Sequence, residues 1–159
     1  MIFIVLGTHE LPFTRLLDET QRLLEDGVIT EKVIAQSGHT AFTSDDMTIT
    51  PFLPFEEMEQ TFEEARVIVS HGGTGSIITG VKKGKPVIAV PRLKEYGEHN
   101  DNHQTEIVEQ FQSTGHIIGI ETPAELSEAL KQAETFEPAP FVSGKDQILD
   151  MLRDYINRV

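Results

Sequence analysis

Short apolar runs alternate with amphipathic stretches along this chain, at the spacing of repeated β-α units. Residues 2–6 (Ile2, Phe3, Ile4, Val5, Leu6) are continuously apolar, as in a central parallel strand covered on both faces. Pro12 then opens a helical stripe of Phe13, Leu16, Leu17, Leu23 and Leu24 that stops near Gly27. Residues 32–35 read as a second strand, with Ser37, Gly38 and His39 in the loop behind it. A short third strand over 47–50 is halted by Pro51 and Pro54. An acidic helix is expected over 55–65, a strand over 67–70, a helix over 74–83 and a strand over 87–90. A long loop covers 91–103, followed by a helix over 104–112, a sixth strand over 117–120 and a capped helix over 123–133. Residues 137–140 read as a linker and 146–156 as a terminal amphipathic helix.

This alternation predicts an α/β fold: a single Rossmann-like domain over 1–159, with a mostly parallel six-stranded sheet and helices on both faces. In such sheets ligands sit beyond the carboxyl ends of the strands. Three chemically rich segments converge there: 7–10, 71–76 and 92–104. In the second, His71, Gly72, Gly73, Thr74, Gly75 and Ser76 lie between the apolar Val67, Ile68, Val69 and the apolar Ile77, Ile78. A strand, a glycine-rich turn and a helix start gather N–H groups, a hydroxyl and a helix N-terminus around one point, which suits a phosphate. Glycine turns also serve tight packing, so the turn needs its company to carry meaning.

Bulk properties narrow the classes. The chain has no cysteine, hence no disulfide framework and no thiolate metal site. No apolar run approaches the roughly 20 residues of a membrane helix, and residues 2–6 are too short and lack the basic flank of a signal peptide. The expected compartment is cytoplasmic. A net charge of −13 argues against nucleic acid and against electrostatic attachment to anionic lipid. Five of the 13 basic residues (Lys82, Lys83, Lys85, Arg92, Lys94) nevertheless fall between 82 and 94. They read either as a solvated helix end or as local attraction for an anionic ligand or partner surface.

Three blocks occur in order: the glycine turn; Gly84, Lys85, Pro86, Val87, Ile88, Ala89, Val90, Pro91, Arg92; and His99, Asn100, Asp101, Asn102, His103, Gln104. Together they resemble the C-terminal, donor-binding half of GT-B glycosyltransferases, of the glycosyltransferase family 28 C-terminal type. The chain is similar to a small single-domain group that includes Alg13-like proteins and PssE/CpsG-type subunits of exopolysaccharide synthesis. The resemblance takes in residues 1–10 with Pro12, Phe13 and Leu16. It also takes in Pro91, Arg92, Leu93, Tyr96, Gly97, Glu98 and His99, a signature of the polysaccharide branch. It covers roughly residues 1–120, and the combination is specific where each piece is not.

The resemblance implies a UDP-sugar donor. Gly73, Thr74, Gly75 and Ser76 match the family's phosphate-binding turn, and His71 matches a histidine near the phosphates. Protonated, or as an N–H donor, His71 would stabilise the leaving diphosphate. His103 and Gln104 match a pair that contacts the donor sugar, with Asp101 and Asn102 close by. Asp101 or Asn102 also suits capping of the helix that follows. Thr79 stands where many relatives carry an acid for the ribose, so ribose recognition is expected to be weaker or supplied elsewhere. His9, oriented by Glu10, is the candidate general base; otherwise the base comes from a partner protein. Arg92 would favour a glucuronate donor. His99, Asp101 and His103 alternate at a spacing open to metal ligation, but the family typically needs no metal, and neither metal nor cofactor is expected.

The expected function is therefore the donor-binding catalytic subunit of an inverting, UDP-sugar-dependent hexosyltransferase in exopolysaccharide or capsule synthesis. Galactose or glucuronate would pass to a lipid-linked saccharide. A complete GT-B enzyme has two halves and this chain has room for one. The resemblance thus implies a membrane-associated Alg14-like or PssD/CpsF-type subunit that holds the acceptor and recruits the chain to the inner face of the plasma membrane. The face it covers should be apolar, and would let the isolated chain self-associate. The alternatives are a non-catalytic nucleotide-sugar-binding or regulatory subunit, and a metal hydrolase built on His99, Asp101 and His103.

Overall fold

The computed structural model describes residues 1–139; the terminal helix expected over 146–156 lies outside the described residues. Six parallel strands, β1 (Ile2–Val5), β2 (Val33–Gln36), β3 (Thr48–Thr50), β4 (Val67–His71), β5 (Val87–Val90) and β6 (Ile118–Gly119), pair in the order β3-β2-β1-β4-β5-β6. Five helices alternate with them: α1 (Thr14–Glu25), α2 (Phe55–Glu64), α3 (Thr74–Lys82), α4 (His103–Ser113) and α5 (Leu126–Ala133). The described residues form a mostly parallel, Rossmann-like sheet with flanking helices, as the alternation predicts.

The pleat divides the core in two. Ile2, Ile4 and Leu6 pack on one face with Leu16, Leu17 and Leu23 of α1 and Leu126, Ala129 and Leu130 of α5. Phe3 and Val5 point the other way, to Phe62 of α2, Ile77 and Val81 of α3, and Ile107, Val108 and Phe111 of α4. Every residue of β1 is at most 2% exposed, which is why its sequence is apolar throughout instead of alternating.

Element ends differ from expectation in ways with local causes. α1 begins at Thr14, because the Phe13 N–H donates to the buried Thr40 hydroxyl at 2.9 Å and is not helical. β4 extends one residue to His71, whose register partner is Val90. The expected helix over 123–133 divides into a 3₁₀ turn at Pro123–Glu125 and α5, and the turn carries a reciprocal Thr122/Glu125 capping box. A second 3₁₀ turn, Lys94–Tyr96, lies inside the long loop after β5. No described helix is long and apolar enough to cross a membrane.

Candidate functional site

Strand order reverses between β1 and β4, and a cleft of about 790 Å³ opens at their carboxyl ends. Gly7, Thr8 and His9 border it from the loop after β1. Gly73, Thr74, Gly75, Ser76 and Thr79 border it from the turn into α3. Phe52, Leu53, Phe55, Met58 and Phe62 form an apolar wall between β3 and α2, and Val5, Gln36, Glu59, His71 and Gln104 complete the lining.

The glycine turn leaves main-chain donors uncapped at the start of α3. Gly73 caps α3 in extended conformation and offers no side chain, and the first bond of the helix runs from the Ile77 N–H to the Gly73 carbonyl at 3.3 Å. The N–H groups of Thr74, Gly75 and Ser76 therefore lack internal partners among the described residues, at the positive end of the helix dipole. Two hydroxyls here are already engaged. The Ser70 and Ser76 hydroxyls lie 2.6 Å apart, and each also has a carbonyl acceptor, His71 for Ser70 at 2.7 Å and Gly73 for Ser76 at 3.4 Å. Thr79 donates to the Gly75 carbonyl at 2.9 Å.

His71 sits at the end of β4, 9% exposed. Burial, then the nearby Arg92 guanidinium, pushes its imidazole down to about 3. The ring is neutral at physiological pH, which leaves the N–H donor role and removes the imidazolium. Its edge fills space that only glycines leave open. A Cβ at Gly73, or at Gly7 with its φ of +74°, would overlap the ring.

Gln104, in the first turn of α4, is buried and bound within the protein. Its Oε1 accepts the Gly72 N–H at 3.1 Å and the Arg92 N–H at 3.0 Å, and its Nε2 lies 3.1 Å from His71 Nδ1. Its amide thus holds the floor of the cleft, whose lining includes it. Its neighbours in sequence lie outside the lining. Asn102 Oδ1 accepts the Lys94 N–H at 2.8 Å. The N-cap of α4 is Asn102, without a side-chain cap bond; Asp101, one residue earlier, accepts the His103 N–H at 3.0 Å, and that bond is the first cause that holds its carboxyl below the usual range. Its two oxygens also approach His99 Nδ1 at 3.2 Å and His103 Nδ1 at 3.3 Å. Among the described residues no group of three or more His, Asp or Glu is arranged to hold a metal ion.

Arg92 and His9 need correcting. Arg92 is 1% exposed, and its guanidinium turns away from the cleft to the carbonyls of Leu6 and Leu11 at 2.7 Å and Glu98 at 3.1 Å. A strand-end arginine with three main-chain acceptors braces loops and does not face a sugar. His9 lines the cleft, but its Nδ1 accepts the Leu11 N–H at 3.1 Å and its ring stacks on His99 at 4.3 Å. Burial, then His99, lowers its pKa. The neutral ring therefore carries its proton on Nε2, with its Nδ1 lone pair engaged by the Leu11 N–H. Glu10 is exposed, outside the cleft lining, and it is Leu11 that orients the ring.

The basic cluster is largely spoken for. Lys83 pairs with Glu59 and Glu63 of α2 at 2.7 and 2.8 Å, and Lys85 donates to the Glu63 carbonyl at 2.7 Å. The residue that sequence reasoning missed is Gln36. It is 3% exposed at the end of β2 and clamps Gly7, accepting its N–H and donating to its carbonyl, both at 2.9 Å. A polar residue closing a buried strand was the available signal.

The family described as "Glycosyltransferase family 28 C-terminal domain" matches residues 1–159. The chain belongs to this family. Among curated proteins it is 38% identical over 78 residues to the UDP-N-acetylglucosamine transferase subunit ALG13 of Candida glabrata, covering 48% of this chain and 37% of that one. It is 34% identical over 97 residues to the protein of the same name from Eremothecium gossypii, covering 59% and 45%. The matches thus span less than half the length of these relatives. Among solved structures, the kitacinnamycin glycotransferase superposes with TM-score 0.63 at 20% identity, over 97% of this chain and 39% of that one. The solution structure of ALG13 superposes with TM-score 0.56 at 19% identity, over 89% and 88%. Family and superposition together make the fold that of a C-terminal GT-B-like domain.

Proposed function

We propose that this chain is the donor-binding subunit of an inverting glycosyltransferase that uses a UDP-sugar. The carrying observation is the uncapped N-terminus of α3, with three N–H groups without internal partners facing a cleft at the strand-order reversal. A diphosphate fits there, and the apolar wall of Phe52, Leu53, Phe55 and Met58 suits the flat base. The name of the curated relatives, a UDP-N-acetylglucosamine transferase subunit, supports both the nucleotide-sugar and the division between subunits.

In this reading the acceptor hydroxyl attacks the anomeric carbon from the face opposite the diphosphate. The bond to UDP breaks, its electron pair leaves on the diphosphate, and the N–H groups of the turn and of His71 stabilise that charge. The hydroxyl proton goes to a base. Since His9 presents a proton and not a lone pair, the base belongs to a partner subunit that also holds a lipid-linked saccharide at the membrane. The polysaccharide-branch signature points to exopolysaccharide or capsule as the product. The inward turn of Arg92 removes the reason to favour glucuronate, leaving galactose and N-acetylglucosamine as the donors to test.

Calorimetric titration with UDP, UDP-galactose, UDP-glucuronate and UDP-N-acetylglucosamine tests this directly. Saturable binding of UDP and of one preferred sugar is expected. Absence of UDP binding both by the chain and by its complex with an acceptor-side subunit would overturn it. The same observation on His9 favours a second reading, a binding subunit whose partner performs all the chemistry. Activity unchanged in a His71→Gln complex would select it.

A further inference from the structure

Three different donors or acceptors fix the Gln104 side chain. Two main-chain N–H groups, from Gly72 behind β4 and Arg92 behind β5, converge on one amide atom. Two donors can meet only an acceptor, so that atom is the oxygen, whatever rotation of the amide is drawn. The –NH₂ end is then left facing His71 Nδ1 at 3.1 Å, and it can only donate. Nδ1 must therefore carry the lone pair. In a neutral imidazole the single proton falls on Nε2.

Nε2 makes no hydrogen bond among the described residues, yet it is not a sealed-in orphan: His71 lines the cleft, and the buried side-chain atoms without partners are Arg92 Nε and His116 Nε2. It emerges where Gly7 and Gly73 lack a Cβ, beside the N–H groups of the α3 turn. We infer that Gln104 is a positioning residue, whose amide locks His71 in the Nε2–H tautomer so that a neutral imidazole presents its N–H to an anionic ligand oxygen at the glycine turn. This rests on the donor-site reading above and deepens it. The groups facing the ring are Arg92 from the end of β5, His9 from the loop after β1 and His99 from the loop after β5, and all three oppose a second proton on it. A fixed N–H donor is thereby kept without a titrating charge.

The experiment is nitrogen NMR of the ¹⁵N-histidine-labelled chain without ligand, with His71 assigned by the loss of its signals in His71→Gln. A bare Nδ1 and a protonated Nε2, unchanged between about pH 8 and 5, are expected. Gln104→Glu keeps an acceptor for Gly72 and Arg92 but offers Nδ1 no donor. It should move the proton to Nδ1 and weaken UDP binding about tenfold at pH 8, with partial recovery on acidification as Nε2 regains a proton. A protonated Nδ1 in the wild type, or an unshifted tautomer in Gln104→Glu, would overturn the lock. A shifted tautomer with unchanged UDP affinity would overturn the presentation of the N–H to the ligand. If Gln104→Glu does not fold, the wild-type spectrum still decides the lock. A wild type with the expected tautomer that binds no UDP, alone or with its partner, supports the lock and overturns the donor reading instead.

Discussion

Arg15 on α1 holds Glu98 in the loop after β5 through a two-pronged ion pair, Nε at 2.6 Å and Nη2 at 2.8 Å from the two carboxylate oxygens. The same carboxylate accepts the Leu93 N–H at 3.1 Å, and the Glu98 carbonyl accepts from Arg92. Arg15 also lies over the exposed Tyr96 ring at 4.0 Å. The long loop is thus strapped to the body of the domain at its middle, and Arg92 ties its root to the loop after β1. The cleft-bordering loop after β1 and the loop after β5 thus share one set of braces.

Arg15→Ala strands the Glu98 carboxylate, 4% exposed, without its cation. We expect a loss of about 2 kcal/mol, less than for a fully buried pair because Arg15 is partly exposed. Urea unfolding of the variant measures it, and an unchanged midpoint would show that the strap does not contribute to stability.

Arg92→Met should cost about 3 kcal/mol, since it leaves the Leu6, Leu11 and Glu98 carbonyls short of a donor. Any loss of donor binding should be equal for UDP-galactose and UDP-glucuronate. A selective loss of the glucuronate donor in titration would restore the sugar-facing role that the structure takes from this residue.

Gly75→Asp separates stability from binding. Gly75 has ordinary φ and open space around its missing side chain, and a carboxylate in the first turn of α3 complements the dipole by about 0.5 kcal/mol. The same carboxylate repels a diphosphate, so UDP affinity should fall by about tenfold or more while the melting temperature holds or rises. Unaltered UDP binding would place the ligand elsewhere.

Acidification should begin to destabilise the fold above the pH range in which its carboxylates protonate. His71 is pushed down to about 3 by burial, and burial also lowers His116. Both bind protons more readily when unfolded, so their contribution is whole above the ordinary histidine value of 6.5 and is lost as pH falls toward the folded value. For His71 the loss is of the order of 4 kcal/mol by about pH 3. Denaturant midpoints between pH 7 and 4 should fall less steeply for His71→Gln than for the wild type, and parallel curves would remove His71 as the cause.

Strands β1, β4 and β5 were legible because burial on both faces demands continuous apolar runs, and residues 2–6, 67–69 and 87–90 have them. The glycine turn into α3 was legible because a sequence reports glycines directly. What could not be read was side-chain direction. Arg92 follows a strand into the site region and looks like a ligand-facing cation, but three carbonyls inside the protein capture it. His9 precedes Glu10 in sequence, but its ring is set by the Leu11 N–H and the His99 face. Gln36 and Gln104 are separated by 68 positions, and their shared task around Gly7 and His71 exists only after the sheet has formed.

By itself, then, the sequence determined the order of elements, the two-sided sheet and the place of the glycine turn, because these follow from hydrophobic period and glycine, which are local properties. The tertiary structure decided which polar groups remain unspent. Gln104 was claimed by two N–H groups from different strand ends, Arg92 by three carbonyls and His9 by its own loop, while the α3 N–H groups and His71 Nε2 were left open to the cleft. That partition depends on distances between residues remote in the chain, and hydrogen-bonding capacity is assigned only when they meet.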